Sequence, residues 1–453
     1  MKIIICGCGK IGKSIMKSLV REGHEITVLD TDPSVISSVT DTYDVMGICA
    51  SCTSCSALSQ AAVQSAGLFI AATGCDEVNM LCCFLASRMG TEHTVARIGN
   101  KENSIDNLDF IKRELGISMI INPDLLTAQT IYNILKFPSA VKSETFTRRR
   151  FEMAELTVKS DSILNGAVLF YLRSRLNIPF LVCCVLRSSE VYIPNGDFTL
   201  QAGDRIGLLA APDDMHKVLK YIGILQKRAK NVMILGGSRI SVYLANELIK
   251  SGNTVTVIEK SQSRCSQLCS VLPQVVNIIC GDGTRHALLS EEGLDRTDAF
   301  VSLTGMDEEN ILSSYYALDR KVPKIITKAN QDGFSDISEK LGLDCLVSPR
   351  RITADIVTQY ARALQNSQGS KIETLYRLMN GAVEALEFAV SQDFKQLNVP
   401  LKDLNIKPGV LLAGIIRGSK TIIPAGNDVI LPGDNVIVIA AHQQLCDFSD
   451  ILL

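Results

Sequence analysis

Residues Lys2–Gly12 read K-I-I-I-C-G-C-G-K-I-G, a short apolar run that passes straight into Gly7-Cys8-Gly9-Lys10-Ile11-Gly12. This G-x-G-x-x-G spacing stands where its physics is needed, after a predicted strand and at the opening of a predicted helix over Lys13–Val20. The first glycine permits a tight turn, the second lets the backbone approach a pyrophosphate, and the third lets helix and strand pack closely. The helix N-terminus then offers free N–H groups and the positive end of its dipole to an anion. About 20 residues on, Asp30 ends the next apolar run, where a carboxylate hydrogen-bonds the ribose hydroxyls of NAD and repels a 2′-phosphate. The stretch predicts a dinucleotide fold with a site for NAD(H).

The chain is written twice. Asn231–Ile240, N-V-M-I-L-G-G-S-R-I, repeats the opening, and I-P-A-G-N-D-V-I-L-P-G-D at Ile423–Asp434 answers I-P-N-G-D-F-T-L-Q-A-G-D at Ile193–Asp204. A period of about 230 residues is too long for a solenoid unit, so a multi-domain module is duplicated. The second turn reads Gly236-Gly237-Ser238-Arg239-Ile240-Ser241, with serines at the second and third glycine positions. A serine Cβ crowds both the pyrophosphate and the helix–strand contact. Glu259 replaces Asp30 and can accept two ribose hydroxyls, while Arg239 reads equally as a phosphate partner or as an internal counter-ion. Each copy also carries T-G-x-D-E-x-N, at Thr73-Gly74 to Asn79 and at Thr304-Gly305 to Asn310. Thr and Gly are expected to line the nicotinamide side of the crevice, and Asp, Glu and Asn to cap the next helix. Arg97 and Lys328, at matching strand ends, place one cation each near it.

From Met1 to about Ser139, β-branched runs (Ile3–Cys6, Ile26–Leu29, Leu68–Ala72, Thr94–Arg97, Met119–Ile121) alternate with amphipathic segments, and the order returns from Asn231 to about Leu364. Such alternation predicts an α/β fold, a Rossmann-like doubly wound parallel sheet with helices on both faces. Between Thr145 and Gly223 strands dominate (Phe151–Val158, Val182–Leu186, Arg205–Ala210), and Gly381–Ala441 repeats that texture. Each copy is therefore expected to end in a small α+β domain. The predicted division is 1–139, 140–225, 231–364 and 372–453, with a junction at Gln226–Lys230 and a linker at Gln365–Lys371.

Composition narrows the function classes. With 46% hydrophobic and 21% charged residues the chain supports several cores, and a formal net charge of −2 argues against nonspecific nucleic-acid binding. The basic run Arg148–Arg150 reads as a solvated face or domain junction. Fifteen cysteines scattered through apolar runs behave as small hydrophobes in a reducing cytosol, and the group at Cys49, Cys52 and Cys55 has no histidine to make a zinc site. The opening at Met1 predicts no cleavable signal, and charges break every apolar stretch before a bilayer span is reached.

The Gly-rich turn with Asp30, the two T-G-x-D-E-x-N strings, Gly281-Asp282-Gly283-Thr284, V-A-R and I-T-K at the following strand ends, and the closing I-P-x-G and G-D pattern resemble the conductance-regulating (RCK) domains of potassium channels and transporters. Two complete tandem copies look like the TrkA family of peripheral subunits of Trk potassium-uptake systems. The resemblance implies a cytosolic ring on the inner face of the cell membrane that binds NAD(H), with ATP or ADP at a second site, and gates a membrane-embedded potassium-translocating subunit. It also implies a homotetramer. Its acidic turn, intact with Asp282, is set against Gly47-Ile48-Cys49-Ala50 in the first copy. The rival readings are an NAD-dependent oxidoreductase with duplicated Rossmann domains and an oligomeric scaffold with structural nucleotide. A dehydrogenase needs an acid/base group near the substrate carbon. The five histidines, His24, His93, His216, His286 and His442, are expected in loops or helices and match no position between copies, so a regulator is preferred to an enzyme.

Overall fold

The computed structural model describes residues 1–99, 105–136, 142–146, 150–176, 178–223, 229–331, 333–343, 345–365 and 372–453. The junction at 226–228, the linker at 366–371, Arg148 and Arg149, and the domain limits at 139, 140 and 225 lie outside the described residues.

The first unit is a parallel sheet of β1 (Lys2–Cys6), β2 (Glu25–Asp30), β3 (Met46–Cys49), β4 (Leu68–Ala71), β5 (His93–Arg97) and β6 (Met119–Ile121), in the order β3-β2-β1-β4-β5-β6. Its helices are α1 (Lys10–Arg21), α2 (Pro33–Thr40), α3 (Cys55–Gln60), α4 (Asp76–Arg88), α5 (Ile105–Glu114) and α6 (Pro123–Lys136). An antiparallel sheet follows, β7 (Lys142–Phe146), β8 (Phe151–Thr157), β9 (Phe180–Arg187), β10 (Glu190–Tyr192) and β11 (Arg205–Ala210), with α7 (Leu169–Leu176) and α8 (Pro212–Tyr221). The second parallel sheet has the same order with β12 (Asn231–Leu235), β13 (Thr254–Glu259), β14 (Asn277–Cys280), β15 (Ala299–Ser302), β16 (Lys324–Lys328) and β17 (Leu346–Val347). With it come α9 (Arg239–Lys250), α10 (Gln262–Val271), α11 (His286–Glu291), α12 (Asp307–Asp319), α13 (Phe334–Lys340) and α14 (Pro349–Gln365). The last sheet holds β18 (Ile372–Leu378), β19 (Val383–Ala389), β20 (Val410–Arg417), β21 (Lys420–Ile422) and β22 (Asn435–Ala441). The fold is the expected α/β class, two Rossmann-like units each followed by an antiparallel-sheet unit, the first carrying α7 and α8 and the described residues of the second only short 3-10 turns. The continuous apolar runs form the central strands because both sheet faces are covered. His93 opens β5 instead of lying in a loop or helix, and His24 is buried.

The two copies are interleaved. Helix α14 lays Ala354, Val357 and Ala361 on Ile15, Met16 and Leu19 of α1, inside the core of the first parallel unit. Helix α6 returns the exchange, placing Ala128, Ile131, Ile134 and Leu135 among Val242, Ala245 and Leu248 of α9. The α1–α14 joint is also ionic: Arg362, 1% exposed, holds Glu22 of α1 at 2.5 Å and Glu384 of β19 at 2.7 Å, and Arg377 of β18 reaches Glu22 at 2.7 Å.

The antiparallel sheets pack face to face through Phe146, Phe151, Met153 and Leu209 on one side and Leu378, Val383, Ile437 and Ile439 on the other. Gly414 leaves room for this, since a Cβ there would stand 3.1 Å from the Phe151 ring. The closing G-D motif is a structural clamp. Asp204, nearly fully buried, accepts two bonds from Arg187 at 2.7 Å each, and Asp434 accepts two from Arg417 at 2.9 and 2.8 Å. Breaking one buried partner of such a pair costs roughly 3 kcal/mol, the low end of the usual range because the arginines keep some water contact. Asp204→Ala and Asp434→Ala should therefore each lower the urea midpoint of unfolding, by similar amounts, in equilibrium denaturation of the full chain.

Candidate functional site

The first glycine turn lies at the carboxyl edge of its sheet, between β1 and α1. Gly7 has φ +82°, and a Cβ on it would meet the Thr73 backbone at 2.8 Å. A Cβ on Gly12 would stand 2.0 Å from the Gly7 carbonyl, so in the first copy helix and turn close on glycine. Gly9 is different: nothing lies within 4 Å of its Cβ position, and as N-cap of α1 it has no side chain to cover the first-turn N–H groups. Asp30 accepts from the Cys8 N–H at 2.7 Å and the Asp32 N–H at 3.1 Å, which aims its carboxylate at the mouth of the turn. Burial, and then the Asp30 charge, push the Cys8 thiol up to about 11.

Thr73 and Gly74 follow β4 on the other side, held by a strut the sequence disguises. Asn79 is fully buried, accepts from the Thr73 N–H at 2.9 Å and Oγ1 at 2.7 Å, and donates to the Arg97 carbonyl at 2.8 Å. It ties the ends of β4 and β5 and does not cap α4, whose N-cap, Cys75, makes no side-chain cap bond. Asn310 repeats these bonds with Thr304 and the Lys328 carbonyl. This correction explains why Asn stands in both strings. Arg97 turns inward to the Thr73 carbonyl at 3.2 Å.

A cavity of about 450 Å³ opens over this turn, lined by Cys8, Gly9, Lys10, Lys13 and Lys17 from the first copy and by Arg350 and Arg351 from α14 of the second. Ile11 stands behind it in the first turn of α1, packed toward the core. The helix exchange thus completes the first crevice with cations that no local motif announces. Lys13 and Lys17 were readable, since they follow Lys10 at helical spacing on one face. Arg350 and Arg351 were not.

The second turn has the same backbone and different occupants. Gly236 keeps φ +96°, and Glu259 accepts from the Gly237 N–H at 2.6 Å and the Ser261 N–H at 2.7 Å, as Asp30 does in the first copy. Ser238, however, caps α9 by accepting from the Ser241 N–H, and the Ser241 hydroxyl donates to the Gly236 carbonyl at 2.5 Å. The helix N-terminus is served from within the chain. Arg239 pairs at 2.8 Å with Asp124, which α6 supplies from the position where α14 supplies Arg350. Ile240 is core. Lys328 is buried, which pushes its ammonium below the ordinary lysine value against the opposing pull of Asp307 and Asp124.

The acidic turn needs a change of register. Cys280 pairs alongside Glu259 as Cys49 does alongside Asp30, and the N–H groups of Gly281 and Ala50 donate to the Glu259 and Asp30 carbonyls. Gly281–Thr284 therefore matches Ala50-Ser51-Cys52-Thr53, and the first-copy residue opposite Asp282 is Ser51. Asp282 pairs with Lys260 at 2.9 Å, and that contact with the Thr284 hydrogen bonds holds its carboxyl at about 2. Cys52 is buried with the Cys6 and Cys82 thiols as neighbours.

Residues 3–123 and 232–349 match the TrkA-N domain, and residues 153–223 and 386–453 match the TrkA-C domain. Trk system potassium uptake protein TrkA homolog 1 of Methanosarcina mazei is 29% identical, covering 97% of this chain and 97% of that one. A TrkA homolog of Archaeoglobus fulgidus is 29% identical with both chains fully covered, and Trk system potassium uptake protein TrkA of Vibrio alginolyticus is 27% identical over 98% of this chain and 96% of its own. Among solved structures, the GsuK RCK domain superposes with a TM-score of 0.63 at 16% identity, covering 97% of this chain and 92% of that one. The GsuK channel bound to NAD gives 0.62 at 16%, covering 97% and 76%. These likenesses establish the fold.

The Arg239–Asp124 pair predicts that Asp124→Asn frees the arginine and strengthens ADP binding at the second turn several-fold. Calorimetric titration of the full chain checks this, and an unchanged isotherm would mean the pair does not compete with phosphate.

Proposed function

The chain belongs to the TrkA family, and from that premise we propose that it is a nucleotide-sensing regulatory subunit that binds NAD(H) at its first glycine turn and gates a membrane-embedded potassium-translocating partner. In this reading 1–139 and 231–364 are the nucleotide-binding units and 140–225 and 372–453 the regulatory ones, working in the cytoplasm against the inner face of the membrane. No helix among the described residues is long and apolar enough to cross a bilayer. The observation that carries the proposal is the open, uncapped first turn facing cations from the other copy. A ligand spanning Gly9 and Arg350 touches both copies, so its affinity depends on how they are disposed, and only such a difference in affinity can shift a gate. The relatives, Trk system potassium uptake proteins, support the partner class, and the NAD-bound channel of the same fold supports the ligand class. At the second turn we assign weaker or differently selective binding, with ATP or ADP as the ligand and Ser238, Arg239, Glu259, Asp282 and Lys328 around it.

The rival is an oxidoreductase, whose acid/base group is usually a His or Lys. The described residues lining the first crevice include none of the histidines, whereas Lys10, Lys13 and Lys17 do line it, so flux and cofactor turnover have to be read together. Reconstituted with its transporter, the chain should change potassium flux when NADH is added while the 340 nm absorbance stays constant. Stoichiometric NADH loss coupled to flux would replace the regulator with an enzyme.

The ring is also proposed. Leu81 on α4 and Leu312 on α12 occupy the same position in the two copies and are 47% and 65% exposed, and Phe110 and Ile337 stand out on the next helices. Apolar groups repeated on both copies suit a closed symmetric assembly, four chains supplying eight domains. Mass measurement at micromolar concentration should give a tetramer, and Leu81→Glu with Leu312→Glu should shift it to smaller species.

A further inference from the structure

We propose that the open cavity between all four units is a separate site for a compact polyanion bearing phosphate groups. It measures about 990 Å³, and every unit contributes to its wall: Lys17 and Arg21 from α1, Arg351 from α14, Thr157 and Arg205 from the first antiparallel sheet, and Arg377 from β18 of the second. Its carboxylates are already engaged. Glu22, Asp355 and Glu384 pair with Arg377, Glu22 and Glu384 also with Arg362, and Glu155 holds Arg205 at 2.6 Å while accepting from the Met379 N–H at 3.1 Å.

Lys17, Arg21 and Arg351 have no ion pair among the described residues, and set against the one carboxylate in excess among Glu22, Asp355 and Glu384 over Arg362 and Arg377 they leave the wall a net positive charge of about two. Like charges held together in a cleft raise the local potential and draw an anion in. Two further groups point the same way. Arg205 Nε and Thr157 Oγ1 are buried without a hydrogen-bond partner among the described residues, and the two residues stand opposite each other on β11 and β8. Buried donors left unpaired are costly, and phosphate oxygens accept from both. Lys17 and Arg21 stand one turn apart on α1 and Arg351 on the facing α14, and the described lining has no phenylalanine or tyrosine to stack a base, His442 being its one aromatic ring. That combination favours a short polyphosphate over a dinucleotide.

This cavity meets the glycine-turn crevice at Ser14, Lys17 and Arg351, so the same chemistry has two sources, a free polyphosphate or the tail of a nucleotide seated in the turn. Calorimetry of the full chain with inorganic pyrophosphate, with and without saturating NADH, separates them. The expected result is one saturable site per chain that persists with NADH bound and weakens at least tenfold in Arg21→Gln, an exposed residue whose change leaves NADH binding intact. Arg205→Gln should act likewise, but it strands Glu155, so Arg21→Gln carries the test if that variant does not fold. Absence of saturable binding, indifference to Arg21→Gln, or mole-for-mole displacement by NADH would overturn the separate site.

Discussion

The packing of α14 on α1 is the contact on which the rest depends. Ala354, Val357 and Ala361 cover Ile15, Met16 and Leu19, the apolar back of the helix whose front carries the glycine turn. Fully burying each large aliphatic side chain is worth roughly 1.5–3 kcal/mol, so the exchanged helix is part of the first core. The same helix brings Arg350 and Arg351 to the crevice and, about three turns later, Arg362 to Glu22. Core, site and inter-unit joint are three faces of one helix. Separated halves would each lose the helix that closes the core, so binding has to be measured on the intact chain.

The exchange is symmetric in backbone and asymmetric in charge. Where α14 offers Arg350 to the first turn, α6 offers Asp124 to the second, and Arg239 is neutralised there. Where the first helix begins at an open Gly9, the second begins at a serine that caps it. At the other end, Ser251 stands where Glu22 stands and bonds the Tyr132 hydroxyl, and among the described residues the mirrored joint has no buried arginine lock. One duplicated scaffold thus presents one crevice poised for an anion and one satisfied from within. Differences of this kind let a ligand act on one side of a pseudo-symmetric body and be felt as a change in shape.

Much of the fold was legible because its signals are local. The strand-turn-helix at Lys2–Arg21 follows from apolar run, glycine spacing and helical period, and the two sheets follow from alternation repeated in the same order. The edge strand β3 was not, being four residues long with Gly47 inside it. At the site, the backbone residues and Asp30 were readable, whereas Asn79 passed for a cap because it stands near a helix start, when its side chain reaches back to Thr73 and Arg97. The acidic-turn register misled for a related reason: the glycine at 47 resembles the motif, but the Ala50 N–H makes the bond that Gly281 makes. Arg350, Arg351 and the Arg239–Asp124 pair join residues more than a hundred positions apart, and no periodicity in one sequence records them.

The central claim is that each chain has one tight dinucleotide site, at the first turn. Calorimetric titration of the intact chain with NADH, repeated for Asp30→Ala and Glu259→Ala, tests it most directly. The account predicts one tight site per chain, weakened about tenfold to a hundredfold by Asp30→Ala, the loss of a charge-assisted hydrogen bond, and little changed by Glu259→Ala. Two equal sites, or a greater loss with Glu259→Ala, would contradict it.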